Sequence, residues 1–250
     1  MVQWLAMEAH AEHPRLSVVV LCYHEGESLR AYCTAVANEL DKLEISYELL
    51  AVSNYWEGDS DPSPQIARDL AASHLHIRAV TRLKQGKFGW DMRSGLDEAR
   101  GELVAVIDGD GQIPPDAVNA AYSRFIVGDC DMVMARRVER HDGTVRWVVS
   151  RIYNWLFRLL FPKVRVFDAN GKPKMFKREM LDLWRLQSDD WFIDAEIIIK
   201  ASYDGFRIGV IPIEFRARVN NESSIQASSL VEFLKNLLVY RLRLIFGTVV

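Results

Sequence analysis

Cysteine is scarce and unpatterned: three residues in 250, an odd number with no CxxC pair, which argues against a disulfide framework. Cys22, Cys33 and Cys130 read instead as buried thiols in a reducing compartment. Positive charge is not in excess either. With 31 Lys and Arg against 34 Asp and Glu the net charge is -3, so the chain lacks the global basic field that dominates nonspecific nucleic-acid binding, and no nucleic-acid partner is expected. Any anion site has to be local. No apolar stretch reaches the roughly 18 residues that span a bilayer, and the segment from Met1 to Pro14 carries no apolar run of signal-peptide length. The expectation is a cytoplasmic chain, with peripheral contact at the cytoplasmic membrane face left open. A glycine-rich phosphate loop is missing as well: after the first apolar run, CYHEGESL holds a single glycine. That absence argues against a dinucleotide oxidoreductase and against nucleotidyl transfer to a sugar phosphate.

What the sequence does have is 49% hydrophobic content, enough at this length to bury one large core, so a single domain over 1–250 is expected. β-branched apolar runs alternate with helical periodicity. The pattern predicts strands at 16–23, 47–52, 77–81, 103–107 and 132–135, and helices at about 27–43, 64–73, 88–100 and from 115 onward. Such alternation means an α/β fold, a mostly parallel central sheet with helices on both faces. The second half is less regular, with long amphipathic helices predicted at about 145–161 and 230–246 and a strand at 206–216.

The decisive stretch is VAVIDGDGQIPP, where an apolar strand runs straight into Asp108, Gly109 and Asp110. Ligands in open α/β sheets sit beyond the carboxyl ends of strands. Two carboxylates across a glycine turn suit a divalent ion, Mg²⁺ or Mn²⁺, with coordination positions left for phosphate oxygens and water. Two other D-x-D triplets lack that context: Asp59-Ser60-Asp61 reads as loop acids, and Asp131 of Asp129-Cys130-Asp131 as the polar entry to a strand. His24 sits at a strand-to-helix turn, where such a residue commonly bonds local groups; His74 and His76 read as surface residues.

With these motifs in order, the chain resembles the family-2 glycosyltransferases of GT-A fold, and within them the polyprenyl- and dolichyl-phosphate sugar synthases. SVVVLCYHEGESL is similar to the family's opening strand and turn, which implies Tyr23 and Glu25 in the nucleotide pocket. QGKFGWDMRSGLDEARGELVAVIDGDGQIPP is similar to the glycine-bearing helix, strand and metal motif, implying Gly86 at the nucleotide and Asp108, Asp110 and Gln112 as metal ligands. Ser53 and Asn54 stand where the family has base-reading acids, placing Asn54 in the same pocket. DMVMARRVER implies Arg137, and SRIYN implies Ser150 and Asn154. DANGKPKMFKREML implies Asp168, WFIDAEIIIKA Asp194 and Glu196, and ARVNNESSI Arg218, Glu222 and Ser223. Ser224 replaces the family's phosphate-binding lysine, for which Lys172 or Lys174 would substitute.

The resemblance implies an inverting transfer from a nucleotide-sugar donor to a lipid-phosphate acceptor, with 15–137 as the nucleotide-sugar half, 138–227 as the acceptor half and 228–250 as a C-terminal amphipathic helix. Arg137 and Arg218 are the candidates to stabilise charge on the departing diphosphate. A phosphate acceptor is already an anion and needs no base. A glycan hydroxyl would need one, and Asp194 or Glu196 is then the candidate. A non-catalytic nucleotide-sugar-binding subunit is the competing reading. For the helix at 145–161, with its interleaved arginines, packing on the sheet is expected. For the one at 230–246, contact with a membrane or a membrane subunit is expected.

Overall fold

The computed structural model describes residues 13–138, 155–166, 168–216 and 235–246, together with the backbone of 227–234. The elements are β1 (Leu16–Leu21), α1 (Ser28–Asp41), β2 (Tyr47–Val52), α2 (Ser63–Ser73), β3 (Ile77–Val80), α3 (Phe88–Leu96), β4 (Leu103–Asp108), α4 (Ala117–Ile126) and β5 (Met132–Arg137). A helical stretch at 155–160 follows, then β6 (Lys174–Lys177), α5 (Glu179–Trp184), α6 (Ile193–Tyr203), β7 (Ile208–Ile213) and α7 (Ala227–Ile245).

Among the described residues, seven strands form one sheet in the order β3-β2-β1-β4-β6-β5-β7. Every pairing is parallel except those of β6, which runs antiparallel between β4 and β5. The alternation of side chains along each strand divides the core. Leu16, Val18 and Val20 pack on one face with residues of α1, α2 and α4, whereas Val19 and Leu21 pack on the other with residues of α3, α6 and α7. Because both faces are covered, β1 and β2 are buried at every position and are apolar apart from Ser17 and Glu48, whose side chains bond each other at 2.6 Å.

Three elements were not legible in the pattern; one is α6, which is buried at every position from Ile193 to Ala201 and so shows no amphipathic period. β6 is the short run KMFK, flanked at both ends by lysine, and it becomes a strand because it fills the slot between β4 and β5. α5 has only six residues, too few to show a helical period. The helix predicted at 88–100 stops at Leu96, where the chain turns to enter β4. Most of the helix predicted at 145–161 lies outside the described residues.

The reversed strand has a consequence for the site. Its first residue, Lys174, pairs with Val106 of β4 and Met134 of β5, two and three residues short of those strands' ends. The segment leading into β6 therefore enters the sheet from the edge where β4 and β5 finish. Gly171 lets it pass close, since a Cβ there would stand 1.8 Å from the Ala135 carbonyl oxygen.

Candidate active site at the carboxyl edge of the sheet

β1, β2 and β4 end level with one another: Leu21 is in register with both Val52 and Asp108. Asp108 is the last residue of β4, and the turn after it is closed by the Gly109 N–H donating to the Leu21 carbonyl at 2.8 Å. Asp110 accepts the Gln112 backbone N–H at 3.1 Å. The Gln112 side-chain amide donates to the Arg216 carbonyl at 3.3 Å, and the Arg216 N–H donates back to the Gln112 carbonyl at 2.8 Å. The acidic turn is thus tied to the segment that follows β7. Among the described residues, nothing donates a hydrogen bond to the buried Oδ1 of Asp108. Burial of the carboxyl pushes its pKa up, and the neighbouring Asp110 and Asp194 charges add to that, against the pull of Lys172.

Lys172, delivered by the approach to β6, sits between Asp108 and Asp194. Its Nζ lies 3.1 Å from Asp108 Oδ1, at ion-pair range though outside hydrogen-bond geometry, and donates to Asp194 Oδ2 at 2.8 Å. Lys174 donates to the other Asp194 oxygen at 2.5 Å. Burial disfavours the Asp194 carboxylate, but the two ammonium groups outweigh it and hold its pKa below the usual range. Burial also lowers Lys174, despite its contact with Asp194. One turn of chain earlier, Asp168 receives the guanidinium of Arg137 in a fork, Nε at 2.7 Å and Nη2 at 2.6 Å. The ring of Phe215 lies 5.4 Å from that guanidinium.

At the same carboxyl edge of the sheet the turn after β1 presents Tyr23, 39% exposed, with Trp56 43% exposed nearby. Between them lies Lys84, its Nζ 4.0 Å from the Tyr23 ring centroid and 5.8 Å from that of Trp56. Lys84 is buried and fixed by an ion pair with Asp91. Glu25 is half-buried in the same turn, where its carbonyl accepts the Ser28 hydroxyl at 2.6 Å. His24 has φ 58° and bonds Asp59 at 2.8 Å, while its N–H donates to Asp61 at 3.2 Å. The first of the extra D-x-D triplets thus lashes two loops together. Asp131 of the other triplet immediately precedes β5 and is forked by Arg207 at 3.0 Å.

Several expectations are corrected here. Asn54 is closed off from solvent. It is fully buried, its amide donating to Asp91 at 2.9 Å and Ser94 at 2.8 Å while its oxygen accepts the Arg82 N–H at 2.8 Å. Asn54 is a prop for Lys84 and Asp91, not a reader of a base. Glu196 is fully buried too, and its carboxylate accepts the backbone N–H groups of Gln187 (3.1 Å) and Ser188 (2.8 Å). It holds a loop against α3, where Gly89 is needed because a Cβ would meet the Ser188 carbonyl at 2.4 Å. Gly86 serves packing of the same kind, since a Cβ there would stand 2.6 Å from that of Trp90. Asp194, sheathed by two ammonium groups, is a poor base. Arg218, Glu222, Ser223 and Ser224, like Ser150 and Asn154, lie outside the described residues.

Sequence reasoning missed Trp56 and Lys84, which carry no motif spacing, and the stacked pair Phe88–Trp191, 4.3 Å apart and 14° from parallel. A cavity of about 270 Å³ beside Arg93, Asp97 and Arg178 lies toward the amino end of β4 and holds none of the predicted residues. Among the described residues no group of three or more His, Cys, Asp or Glu is gathered to hold a metal ion by itself.

The family model for glycosyl transferase family 2 matches residues 17–184, a span that runs from β1 through the acidic turn to α5. The chain belongs to glycosyl transferase family 2. It is 24% identical over 234 residues to a dolichol-phosphate mannosyltransferase of Pyrococcus furiosus, covering 91% of this chain and 63% of that one. It is 26% identical over 219 residues to glycosyltransferase AglD of Haloferax volcanii, covering 84% of this chain and 34% of AglD. The chain thus spans less than two thirds of the length of these relatives. Its fold is similar to that of glucosyl-3-phosphoglycerate synthase from Mycobacterium tuberculosis, solved with Mn²⁺, UDP and phosphoglyceric acid. The TM-score is 0.69 at 19% identity, covering 94% of this chain and 80% of that one. The mixed, mostly parallel sheet with helices on both faces is the GT-A fold.

Proposed function

We propose that this family-2 chain is an inverting glycosyltransferase that moves a sugar from a nucleotide-sugar donor to a lipid-phosphate acceptor, with Mg²⁺ or Mn²⁺ held at Asp108 and Asp110. The observation that carries the reading is Asp108 Oδ1, a buried acceptor at the carboxyl end of β4 that takes no hydrogen bond from the described residues. The Lys172 ammonium stands 3.1 Å from it at ion-pair range without donating a hydrogen bond to it, so its acceptor capacity stays open to an ion or a water. Asp108, Asp110 and the amide oxygen of Gln112 are hard oxygen donors, which fits Mg²⁺ or Mn²⁺ and leaves positions for diphosphate oxygens. When bound, the ion supplies neutralisation of the leaving nucleoside diphosphate. The solved structure of like fold contains Mn²⁺ and UDP, which supports the same assignment.

The chain's own residues then divide the work. Tyr23 and Trp56 offer exposed rings beside the fixed ammonium of Lys84, a platform for the donor's base, with Glu25 in the same turn. Arg137, steadied by Asp168, and Arg218 meet the charge that grows on the diphosphate as the glycosidic bond breaks. For the acceptor, the burial of Glu196 and the sheathing of Asp194 favour phosphate over hydroxyl: neither acid is placed to take a proton, and a phosphate needs no base. The outward side of α7 supports a lipid-borne acceptor. Leu238, Leu242 and Ile245 are each more than half exposed there, with Lys235 and Arg243 among them, and Leu237 and Tyr240 face inward. Trp155 and Leu159 are exposed on the stretch at 155–160. Among the described residues no helix is long and apolar enough to cross a membrane.

Thermal denaturation with a panel of nucleoside diphosphates, with and without Mn²⁺, tests the donor half of this reading. One nucleotide is expected to raise the melting temperature only when the cation is present. A panel in which none does so would remove the reading. Sugar transfer to polyprenyl phosphate in vesicles, compared with a soluble glycan, tests the acceptor half.

A further inference from the structure

We propose that Lys172 is the resident counter-ion of Asp108, and that it makes the site take its divalent cation jointly with a nucleoside diphosphate and not alone. The inference rests on the reading of Asp108 and Asp110 as cation ligands. Lys172 is 3% exposed at its side chain, so its ammonium has no bulk water to retreat into. Its Nζ stands 3.1 Å from one Asp108 oxygen and 3.3 Å from the other. It is not required by Asp194 alone, because Lys174 already contacts that carboxylate at 2.5 Å. The Phe88 ring, 4.7 Å from Nζ to centroid, walls the ammonium on a further side.

Charge balance gives the consequence. Asp108 and Asp194 are matched by Lys172 and Lys174, two carboxylates against two ammonium groups, so their charges balance before any metal arrives. A divalent ion entering by itself meets Asp110 and a carboxylate whose charge is already compensated by an ammonium in contact with it. Between such near cations the repulsion is strong, because water screens them little. A diphosphate arriving with the ion brings both the missing negative charge and the missing oxygen ligands. Lys172 therefore acts as a positioning residue: it holds Asp108 in place and sets the order in which the site fills.

The test measures Mn²⁺ binding to the whole chain by the electron-spin signal of free Mn²⁺, alone and with UDP, GDP, ADP or CDP. In the unaltered chain the best of these nucleotides is expected to tighten Mn²⁺ binding by about tenfold or more. Lys172→Gln, which keeps a hydrogen-bond donor and removes the charge, is expected to bind Mn²⁺ alone about tenfold tighter than the unaltered chain. The nucleotide's added effect shrinks accordingly. Lys172→Arg, which keeps the charge, is expected to behave like the unaltered chain. If Lys172→Gln binds Mn²⁺ alone no more tightly, the inference falls while the ligand assignment stands. If the unaltered chain binds Mn²⁺ equally well with and without every nucleotide, the inference falls without recourse to a variant. If no form of the chain binds Mn²⁺ even with nucleotide, the ligand assignment itself fails and takes the inference with it.

Discussion

Asp108-Gly109-Asp110 and Asp194-Ala195-Glu196 share one pattern, two acids two residues apart, and the fold puts them to opposite uses. The first pair closes a strand, so both residues sit at the sheet's carboxyl edge, and one oxygen of Asp108 takes no hydrogen bond from the described residues. The second pair lies in the first turn of a helix that is buried from Ile193 to Ala201. There Asp194 is matched by two ammonium groups and Glu196 by two backbone N–H groups. An acid whose acceptors are filled by hydrogen bonds from within the chain holds structure; an acid at the sheet's edge whose oxygen has only an ion-pair neighbour, Lys172 at 3.1 Å, is available to a ligand.

That contrast is broken most sharply at the first pair. Asp110→Asn is expected to lower transfer by about a thousandfold, the scale of losing one charge-stabilising group in a transferase site, and to abolish the cation-dependent thermal shift. The melting temperature without ligand is expected to stay within a few degrees of the unaltered chain. A large drop there would make Asp110 structural and erase the difference between the pairs.

Asp194→Asn is expected to cost about 3 kcal/mol of stability in denaturant titration, because it breaks a buried ionic group by removing one partner. The carboxyl is held below its ordinary pKa in the folded chain. Its contribution is therefore in place above about pH 4 and drains as the pH falls through the folded value, so the variant's deficit should narrow in acid. A deficit that does not change with pH would mean the pair is not ionic.

Glu196→Gln is expected to cost less, about 2 kcal/mol, since it turns an amide N–H₂ toward backbone donors that a carboxylate had satisfied. The cation-dependent nucleotide shift should survive in this variant. Its loss in a folded protein would restore Glu196 to the site.

The first half of the chain was legible because its elements follow local rules. The strand at Tyr47–Val52 falls where the apolar run placed it, and the acidic turn follows β4 as the pattern required. The residues from Lys172 to Lys177 were not legible as a strand, since lysines at a buried position contradict the usual pattern. Lys174 is fully buried and survives there only because Asp194, twenty residues on, supplies its partner. Asn54 failed in the other direction. Its place after β2 suggested a ligand contact, but Asp91 and Ser94 on α3 take up its amide.

By itself the sequence determined the alternation of strand and helix, the parallel core and the place of Asp108 and Asp110 at a strand's end, because periodicity and turn chemistry act over a few residues. Only the tertiary structure decided which acids keep an open oxygen and which are filled, and that Lys172 comes to rest against Asp108. Partners from 20 to 64 residues apart settle those questions, and no local pattern records them.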